Sequence, residues 1–387
     1  KSAGLGKSPT ESDPDIYDHK YIHCDALIIG AGISGIIAAK IAAKNNLKTL
    51  LLEEKNELGG LTIYQDSDFF KIQNKKSSAW LKNEINEIKK LSNLEIKTRT
   101  SVAAFHSYNY LLARENLTDH LNKEEKKNKV RQRLLKIRAK NVIIATGSIE
   151  RPLVFNNNDR PGIMLSSAVK KYADYYGVIC GKKTVFFTNN DSAYESAISL
   201  NKKGLSVEAI IDIREKSDSE LVKEVEKIGI QIYWSHTVVD ARGYKRLKEI
   251  IIMPLSKDGM SVIEKKINLK CDCLAIAGGW TPAVHLFTQS GGKLKFREED
   301  QVFLPNVSQS KQISIGSCNG DFKLNEIIKN LIINVKNFLE LKNTEYDNLK
   351  IECPSDNFKK NIWLLPSNKV IGKTKPFVDF QNDVTAK

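Results

Sequence analysis

Three glycines, Gly30, Gly32 and Gly35, stand in IIGAGISG between an apolar run and an alanine-rich one. At this spacing the first glycine permits a tight strand-to-helix turn and the second lets backbone approach a pyrophosphate. The third lets the helix pack closely on the strand. Ala31, Ile33 and Ser34 complete the loop and lie where N–H groups gather at the positive end of a helix. The next apolar run, KTLLLEE, closes at Glu53, roughly 20 residues on, where a carboxylate accepts hydrogen bonds from ribose hydroxyls and repels a 2′-phosphate. Glu54 takes that role if the strand ends one residue later. The set predicts an adenine dinucleotide site for NAD or FAD rather than NADP.

Two further glycine turns accompany the loop. Leu58-Gly59-Gly60 follows the second strand, where enzymes with two dinucleotide domains carry another turn near the cofactor. VIIATGSIERP is an apolar strand ending in Ala145-Thr146-Gly147, the point at which such chains leave the first cofactor domain for the second. Late in the chain, ISIGSCNG puts Ser317 after Gly316, where flavoproteins of this type carry an aspartate bonded to the ribityl chain and flavin phosphate. A serine hydroxyl lacks the charge-assisted hydrogen bond of a carboxylate. NAD, which has no ribityl chain, is therefore expected in the first site and FAD is disfavoured. The expected cofactor-binding residues are Gly30, Ala31, Gly32, Ile33, Ser34, Gly35, Glu53, Glu54, Gly59, Gly60, Thr146, Gly147, Gly316 and Ser317.

VFFTNNDSAYESA, Val185 to Ala197, repeats the layout without its glycines. Ala193, Glu195 and Ala197 fit, but Thr188 and Asn190 put a Cβ where backbone should approach a phosphate. This second domain is expected to hold no dinucleotide, with Asn189, Asn190 and Asp191 capping the helix instead. His19 and His23, beside Cys24, sit four apart as helical metal ligands do, yet nothing completes a set and no metal is expected. For His285, in GGWTPAVHLF, a structural role is weighed above one at the cofactor. No Ser/His/Asp or Cys/His arrangement and no paired acids stand out, so no catalytic residue is assigned.

Positioning two such loops takes two βαβ units. ALIIG, AGISGIIAAKIAAKNN and KTLLLEE read as strand, loop with helix, and strand. Ser77 and Ser78 are placed to cap a helix with Leu81, Ile85, Ile88 and Leu91 on one face. The charged run Asn122 to Arg133 is expected to be exposed. A second unit runs from KTVFF through a helix at Tyr194 to Lys203 into VEAIIDIR, with a helix at Leu221 to Ile228 and strands near Ile230 to Trp234, Lys248 to Pro254 and Leu274 to Ala277. A late helix spans Glu326 to Leu339. The predicted fold is α/β: two Rossmann-like domains of the FAD/NAD-linked disulfide-reductase type, the second inserted in the first. The expected division is an extended lead-in over 1–22, the first domain over 23–155 and 276–342, the inserted domain over 156–275, and a linker over 343–387.

With 387 residues, 41% apolar and 27% charged, the composition is that of a globular protein. The net charge of +14 is spread over scattered lysines, which favours a solvated surface over a nucleic-acid patch. No apolar run reaches the ~18 residues of a membrane span. Six dispersed cysteines without C-x-x-C are expected to be free thiols in a cytoplasmic protein. Neither nucleic acid nor membrane is expected as a partner.

Longer stretches carry a family resemblance: AGLGKSP (Ala3 to Pro9), ATGSIERPLVFNNNDRPGIML (Ala145 to Leu165), FTNNDSAY (Phe187 to Tyr194), AGGWTPAVHLFTQSGGKL (Ala277 to Leu294) and FVDFQNDVTAK (Phe377 to Lys387). By these the chain resembles the α subunit of heterotetrameric sarcosine oxidase over nearly its whole length. The resemblance implies the central part of a larger subunit, preceded by a small domain and followed by a folate-binding domain of the aminomethyltransferase type. It implies a flavin-dependent oxidoreductase complex acting on CH–NH donors, which converts sarcosine to glycine and hydrogen peroxide and passes the one-carbon unit to tetrahydrofolate as methylene-tetrahydrofolate. In that family NAD sits in the α subunit's first site, the amine-oxidising FAD belongs to the β subunit, and FMN lies near the αβ interface. The amine-oxidising residues would then lie outside this chain. Relatives that oxidise other amino acids or opines leave the substrate open. The competing readings are a self-contained NADH-dependent flavin oxidoreductase, which needs two working dinucleotide loops, and a non-catalytic scaffold with a structural nucleotide.

Overall fold

The computed structural model describes residues 8, 10–65, 67–355, 360–368 and 375–386. Of the stretches quoted above, Ala3 to Lys7, Pro9 and Lys387 lie outside them. The first lobe opens with β1 (Ile16–Ile29), α1 (Ile33–Lys44), β2 (Thr49–Leu52), α2 (Ser77–Ile88), β3 (Leu94–Lys97), β4 (Thr100–His106), β5 (Tyr110–Asn116) and β6 (Val130–Ile144). The second lobe follows with β7 (Ile163–Leu165), α3 (Ser166–Asp174), β8 (Thr184–Thr188), α4 (Ser192–Lys202), β9 (Val207–Asp212), α5 (Glu220–Lys227), β10 (Gln231–Trp234), β11 (His236–Arg242), β12 (Glu249–Pro254), β13 (Ile267–Lys270) and β14 (Cys273–Ala277). The chain then returns to the first lobe with β15 (Gln312–Ser314) and α6 (Leu324–Phe338).

The first sheet runs β3-β2-β1-β6, with β15 pairing the end of β6, and all these strands are parallel. Parallel strands covered on both faces need unbroken apolar runs, which Ala26 to Ile29 and Thr49 to Leu52 supply. One register row, Ile96, Leu51, Ile28, Ile143 and Ile313, crosses the sheet. On one face Ile36, Ile37 and Ile41 of α1 pack with Leu81 and Ile85 of α2 and with Leu331 and Val335 of α6. Large apolar side chains buried in this way contribute roughly 1.5–3 kcal/mol each.

β1 begins at Ile16, inside the stretch read as a lead-in, and pairs with β6 from Val130 onward. There β6 also pairs antiparallel with β5, and β5 with β4. The stretch IYDHKYIHC alternates in burial because this extension is wet on one side. Phe105, Leu111, Leu135 and Ile137 face the core, while Arg133 makes a bidentate bond to Asp18 at 2.8 and 2.9 Å. His19 and His23 therefore lie on a strand rather than a helix. Among the described residues no group of three or more His, Cys, Asp or Glu could hold a metal.

The second sheet is parallel throughout, in the order β7-β14-β8-β9-β10, beside an antiparallel trio β11-β12-β13. The chain crosses between lobes at Ser148–Glu150 and returns at Trp280–Pro282, and these two crossings pair antiparallel. The second lobe is thus inserted in the first. Ser77 and Ser78, expected as caps, sit inside the first turn of α2, where Lys76 is the cap residue without a side-chain bond. The Ser77 N–H instead donates to the Phe70 carbonyl at 2.8 Å. The stretch read as a linker packs on the body in its described part, with Tyr346 and Leu365 buried.

A Cβ on Gly35 would collide with the Gly30 carbonyl oxygen, whereas one on Gly32 would meet nothing within 4 Å. Gly35→Ala is therefore expected to lower stability by about 1–3 kcal/mol, and Gly32→Ala to change it by less than about 0.5 kcal/mol. Urea unfolding of the two variants side by side checks this.

Candidate functional site

The first loop is built to leave its upper surface bare. Gly30 has φ +96° and lies so close to Ala145 that a Cβ would strike its carbonyl oxygen. Gly32 is the cap residue of α1, and no side chain satisfies the first N–H groups of that helix. Those groups and the open space over Gly32 form a cradle for an anion at the positive end of a long buried helix. The second glycine turn supports the loop from the side. The Gly59 N–H donates to the Ala31 carbonyl at 2.8 Å, and a Cβ on Gly60 would come within 2.9 Å of the Gly32 Cα.

Glu53 is buried at the end of β2 and ties the loop to the sheet. Its carboxylate accepts the Ala31 N–H at 2.7 Å and the Lys55 N–H at 2.9 Å, one on each oxygen. Each oxygen keeps a lone pair, so ribose hydroxyls would add to these bonds rather than replace them. Glu54 is exposed beside it. Across the loop, Thr146 Oγ1 donates to the Ala283 carbonyl at 3.0 Å. A Cβ on Gly147 would stand 3.8 Å from Ser317 Oγ, and one on Gly316, at φ +69°, would collide with Ser34 Oγ.

A cavity of about 880 Å³ opens over this loop and extends to the second lobe. Its lining includes Gly30, Gly32, Ile33, Ser34, Glu53, Glu54, Gly60, Thr146, Gly147 and Ser317. Ala31, Gly35, Gly59 and Gly316, also expected at the site, are not in that lining. Contacts beneath it explain this: Ala31 and Gly59 bond each other, while Gly35 and Gly316 give room to Gly30 and Ser34. His285 is exposed and absent from the lining, although its neighbours Ala283 and Leu286 belong to it.

The second loop repeats the frame and fills it with its own side chains. Thr188 Oγ1 donates to the Asn190 carbonyl at 2.7 Å, and Asn189 turns away to the Lys360 carbonyl at 3.1 Å. Only Asn190 reaches the helix, its Oδ1 accepting the Ser192 N–H at 3.0 Å, so the expected capping trio reduces to one residue. Asp191 is committed elsewhere. Its Oδ1 lies 2.6 Å from Arg214 Nη2, and Arg214 also binds Asp212 at 2.7 Å. Tyr194 donates to the same Asp212 carboxylate at 2.8 Å and stacks on Trp234. Burial opposes the Arg214 charge, but Asp212 and Asp191 outweigh it and hold the guanidinium above its usual range. Asp191 and Asp212, both held by Arg214, thus occupy with their own side chains the start of α4.

The comparisons with known proteins now bear on these loops. A family model described as pyridine nucleotide-disulphide oxidoreductase matches residues 27–313. The chain belongs to that family. It is also similar to sarcosine oxidase subunit alpha of Corynebacterium sp. (strain P-1), 32% identical over 393 residues, covering 99% of this chain and 40% of that protein. The same subunit of Rhizobium meliloti (strain 1021) is 30% identical over 405 residues, covering 100% of this chain and 38% of that one. The chain thus spans about two fifths of the length of these curated relatives. Among solved structures, L-proline dehydrogenase from P. horikoshii matches with a TM-score of 0.61 and 21% identity, over 87% of this chain and 61% of that one. Thioredoxin reductase of T. acidophilum matches with a TM-score of 0.60 and 17% identity, over 82% and 97%. At such identities these structures speak for the fold, which is the α/β dinucleotide-binding fold expected from the sequence, and the sarcosine oxidase α-subunit resemblance holds along the chain.

Family membership makes this an oxidoreductase-type chain with a flavin- or nucleotide-binding frame. Its six cysteines are all free, and burial pushes the thiols of Cys24, Cys271 and Cys273 up to about 12. The cavity's inner end holds residues that no motif marked. Glu150, on the first crossing strand, accepts both the N–H and the Oγ of Ser167 at 2.9 and 2.6 Å. Lys170 joins the lobes, donating to the Tyr64 carbonyl at 2.7 Å and to Asp174 at 2.8 Å, with Glu195 at 3.6 Å. A lone acid five residues past Ala145 and a lysine inside a helix carry no spacing signal, so only assembly reveals them.

Desolvation pushes the Glu150 carboxyl up to about 7 from 4.5, against the two Ser167 bonds. Its raised value favours the folded state fully below pH 4.5, and this contribution is lost as pH rises to 7. Glu150→Gln is therefore expected to gain stability relative to the wild type between pH 5 and pH 8, by an amount on the order of 3 kcal/mol. Thermal unfolding across that range reads the effect. Arg214→Met leaves two buried carboxylates facing each other and is expected to cost about 3–5 kcal/mol, read from the urea midpoint.

Proposed function

We infer that this chain is the NAD-binding portion of the α subunit of a sarcosine oxidase-like, flavin-dependent amine oxidase complex. The observation that carries the reading is the contrast between the loops. The first leaves Gly32 open and the start of α1 uncapped, while the second is closed by Asp191 and Arg214. A self-contained NADH-dependent flavin oxidoreductase needs both loops, and the second carries Thr188 and Asn190 where backbone would approach a phosphate. NAD fits the first loop through the N–H groups around Gly32 to Ser34 for the pyrophosphate and through Glu53 for ribose hydroxyls. Ser317 lacks the carboxylate that a ribityl chain and flavin phosphate call for. When bound, NAD supplies a hydride-accepting nicotinamide. The residues of this chain would bind and orient it, with apolar Leu52, Val102 and Ile327 on the cavity wall.

The similarity to the sarcosine oxidase α subunits supports the rest of the proposal. FAD and FMN belong to the wider complex, the β subunit is the partner that oxidises the amine, and tetrahydrofolate is served by a domain outside this chain. Sarcosine is the first substrate to test, with related amino acids and opines beside it. A cytoplasmic location belongs to the same proposal. No helix among the described residues is long and apolar enough to cross a membrane.

Denaturing the purified chain and identifying the released nucleotide by mass and absorbance tests the reading. One equivalent of NAD without flavin is expected, and stoichiometric FAD would overturn the Ser317 inference. Gly32→Val is expected to lose the nucleotide and keep the fold, because its Cβ enters the cradle with no protein atom within 4 Å. Sarcosine turnover of the reconstituted complex carrying this variant then separates a working NAD from a structural one.

A further inference from the structure

The residues after α6 run from one lobe to the other across the cavity. Tyr346 is buried against Trp80, with ring centroids 6.2 Å apart, and its hydroxyl donates to Glu84. The Gln73 N–H donates to the Lys350 carbonyl at 2.9 Å, and Ile351–Glu352 pair antiparallel with Lys71–Ile72. Leu349, Ile351 and Cys353 pack on the core of the first lobe. The chain then reaches the second lobe, where the N–H and the Oγ of Ser355 each donate to Glu220 Oε2 at 3.1 Å. Cys353, Pro354 and Ser355 line the same cavity as Gly32 and Glu53.

The two holds differ in kind. The first-lobe side is a strand pair with apolar packing, while the second-lobe side is a pair of exposed hydrogen bonds to one carboxylate. Further along, Asn189 donates to the Lys360 carbonyl at 3.1 Å, Trp363 Nε1 donates to the Gly278 carbonyl at 2.6 Å, and the Leu365 N–H donates to the Val154 carbonyl at 2.9 Å. Among the described residues the chain is thus held by strand pairing and packing up to Cys353 and again from Lys360 onward, with the two bonds to Glu220 at Ser355 between them.

We propose that residues 353–355 form a retaining strap on the dinucleotide cavity, latched by Ser355 on Glu220, and that ligand exchange proceeds by release of this latch. The proposal rests on the reading of the cavity as the dinucleotide site. It adds a segment that no glycine motif touches to the wall of that site.

Cys353 reports on the strap, because it is a residue of the cavity lining and is distinguished from the other cysteines by peptide mass. In the full chain, Glu220→Ala and, independently, Ser355→Pro remove the latch at exposed positions. Iodoacetamide labelling of Cys353 is expected to accelerate about three- to tenfold in both, the size that one or two lost hydrogen bonds imply. Glu220→Gln, which keeps an acceptor, is expected to restore the slow rate. Loss of bound NAD after dilution is expected to accelerate by a similar factor. Unchanged Cys353 labelling in both latch variants overturns the strap whether or not nucleotide is bound. Faster labelling with unchanged NAD release overturns its role in exchange. Faster labelling in a protein that never carried nucleotide supports the latch and counts against the NAD reading alone.

Discussion

Among the glycines of the described residues, the tightest approach is that of α1 to the turn that precedes it. Gly35 sits so near the Gly30 carbonyl that no side chain fits, and Gly30 in turn presses on Ala145 at the end of β6. This approach brings the start of a helix buried from Ile33 to Ala43 to the edge of the sheet. The N–H groups of its first turn and the carboxylate of Glu53 then face one space. Gly59 and Gly60 dock on the same loop, and Gly316 makes room for Ser34. A glycine at each point is a packing requirement before it is a ligand requirement.

The two lobes fill one frame in different ways. Each has an acid at the end of its second strand that accepts the N–H two residues later: Glu53 from Lys55 and Asp212 from Arg214, both at 2.9 Å. In the first lobe the other oxygen reaches the loop backbone and leaves the space above it free. In the second, the shorter Asp212 recruits Arg214 and Tyr194, and Arg214 brings in Asp191 from the loop. The result is a buried polar network whose members satisfy one another, apart from Asp191 Oδ2, which is buried without a hydrogen-bond partner. Such a network is costly to break.

The parallel cores were legible in the sequence because strands buried on both faces are uninterrupted apolar runs, as in ALII and TVFF. The extension of β1 and β6 was not, because its outward face carries Asp18, Arg133 and their neighbours and reads as surface. Ser77 and Ser78 had the right types for caps, yet the chain enters α2 from a short hairpin that gives the Ser77 N–H a backbone partner. In the site, Gly30, Gly32, Glu53, Thr146 and Ser317 were found from spacing. Glu150, Lys170 and Cys353 have no spacing to find, since each arrives from a different element and meets the cavity only after the lobes close on it.

The sequence by itself determined which loop is open, because glycine and its absence act within a few residues of backbone: Gly32 leaves room, and Thr188 and Asn190 do not. It also determined the insertion of one lobe in the other, through the two apolar frames and the junction at Ala145 to Gly147. Only the tertiary structure decided the rest. Arg214 closes the second loop through Asp191, Lys170 joins the lobes, Glu150 is desolvated between them, and residues 353–355 cross the cavity wall. These are effects of burial and charge among residues far apart in the chain, and local pattern carries no information about which distant groups will share one dry space.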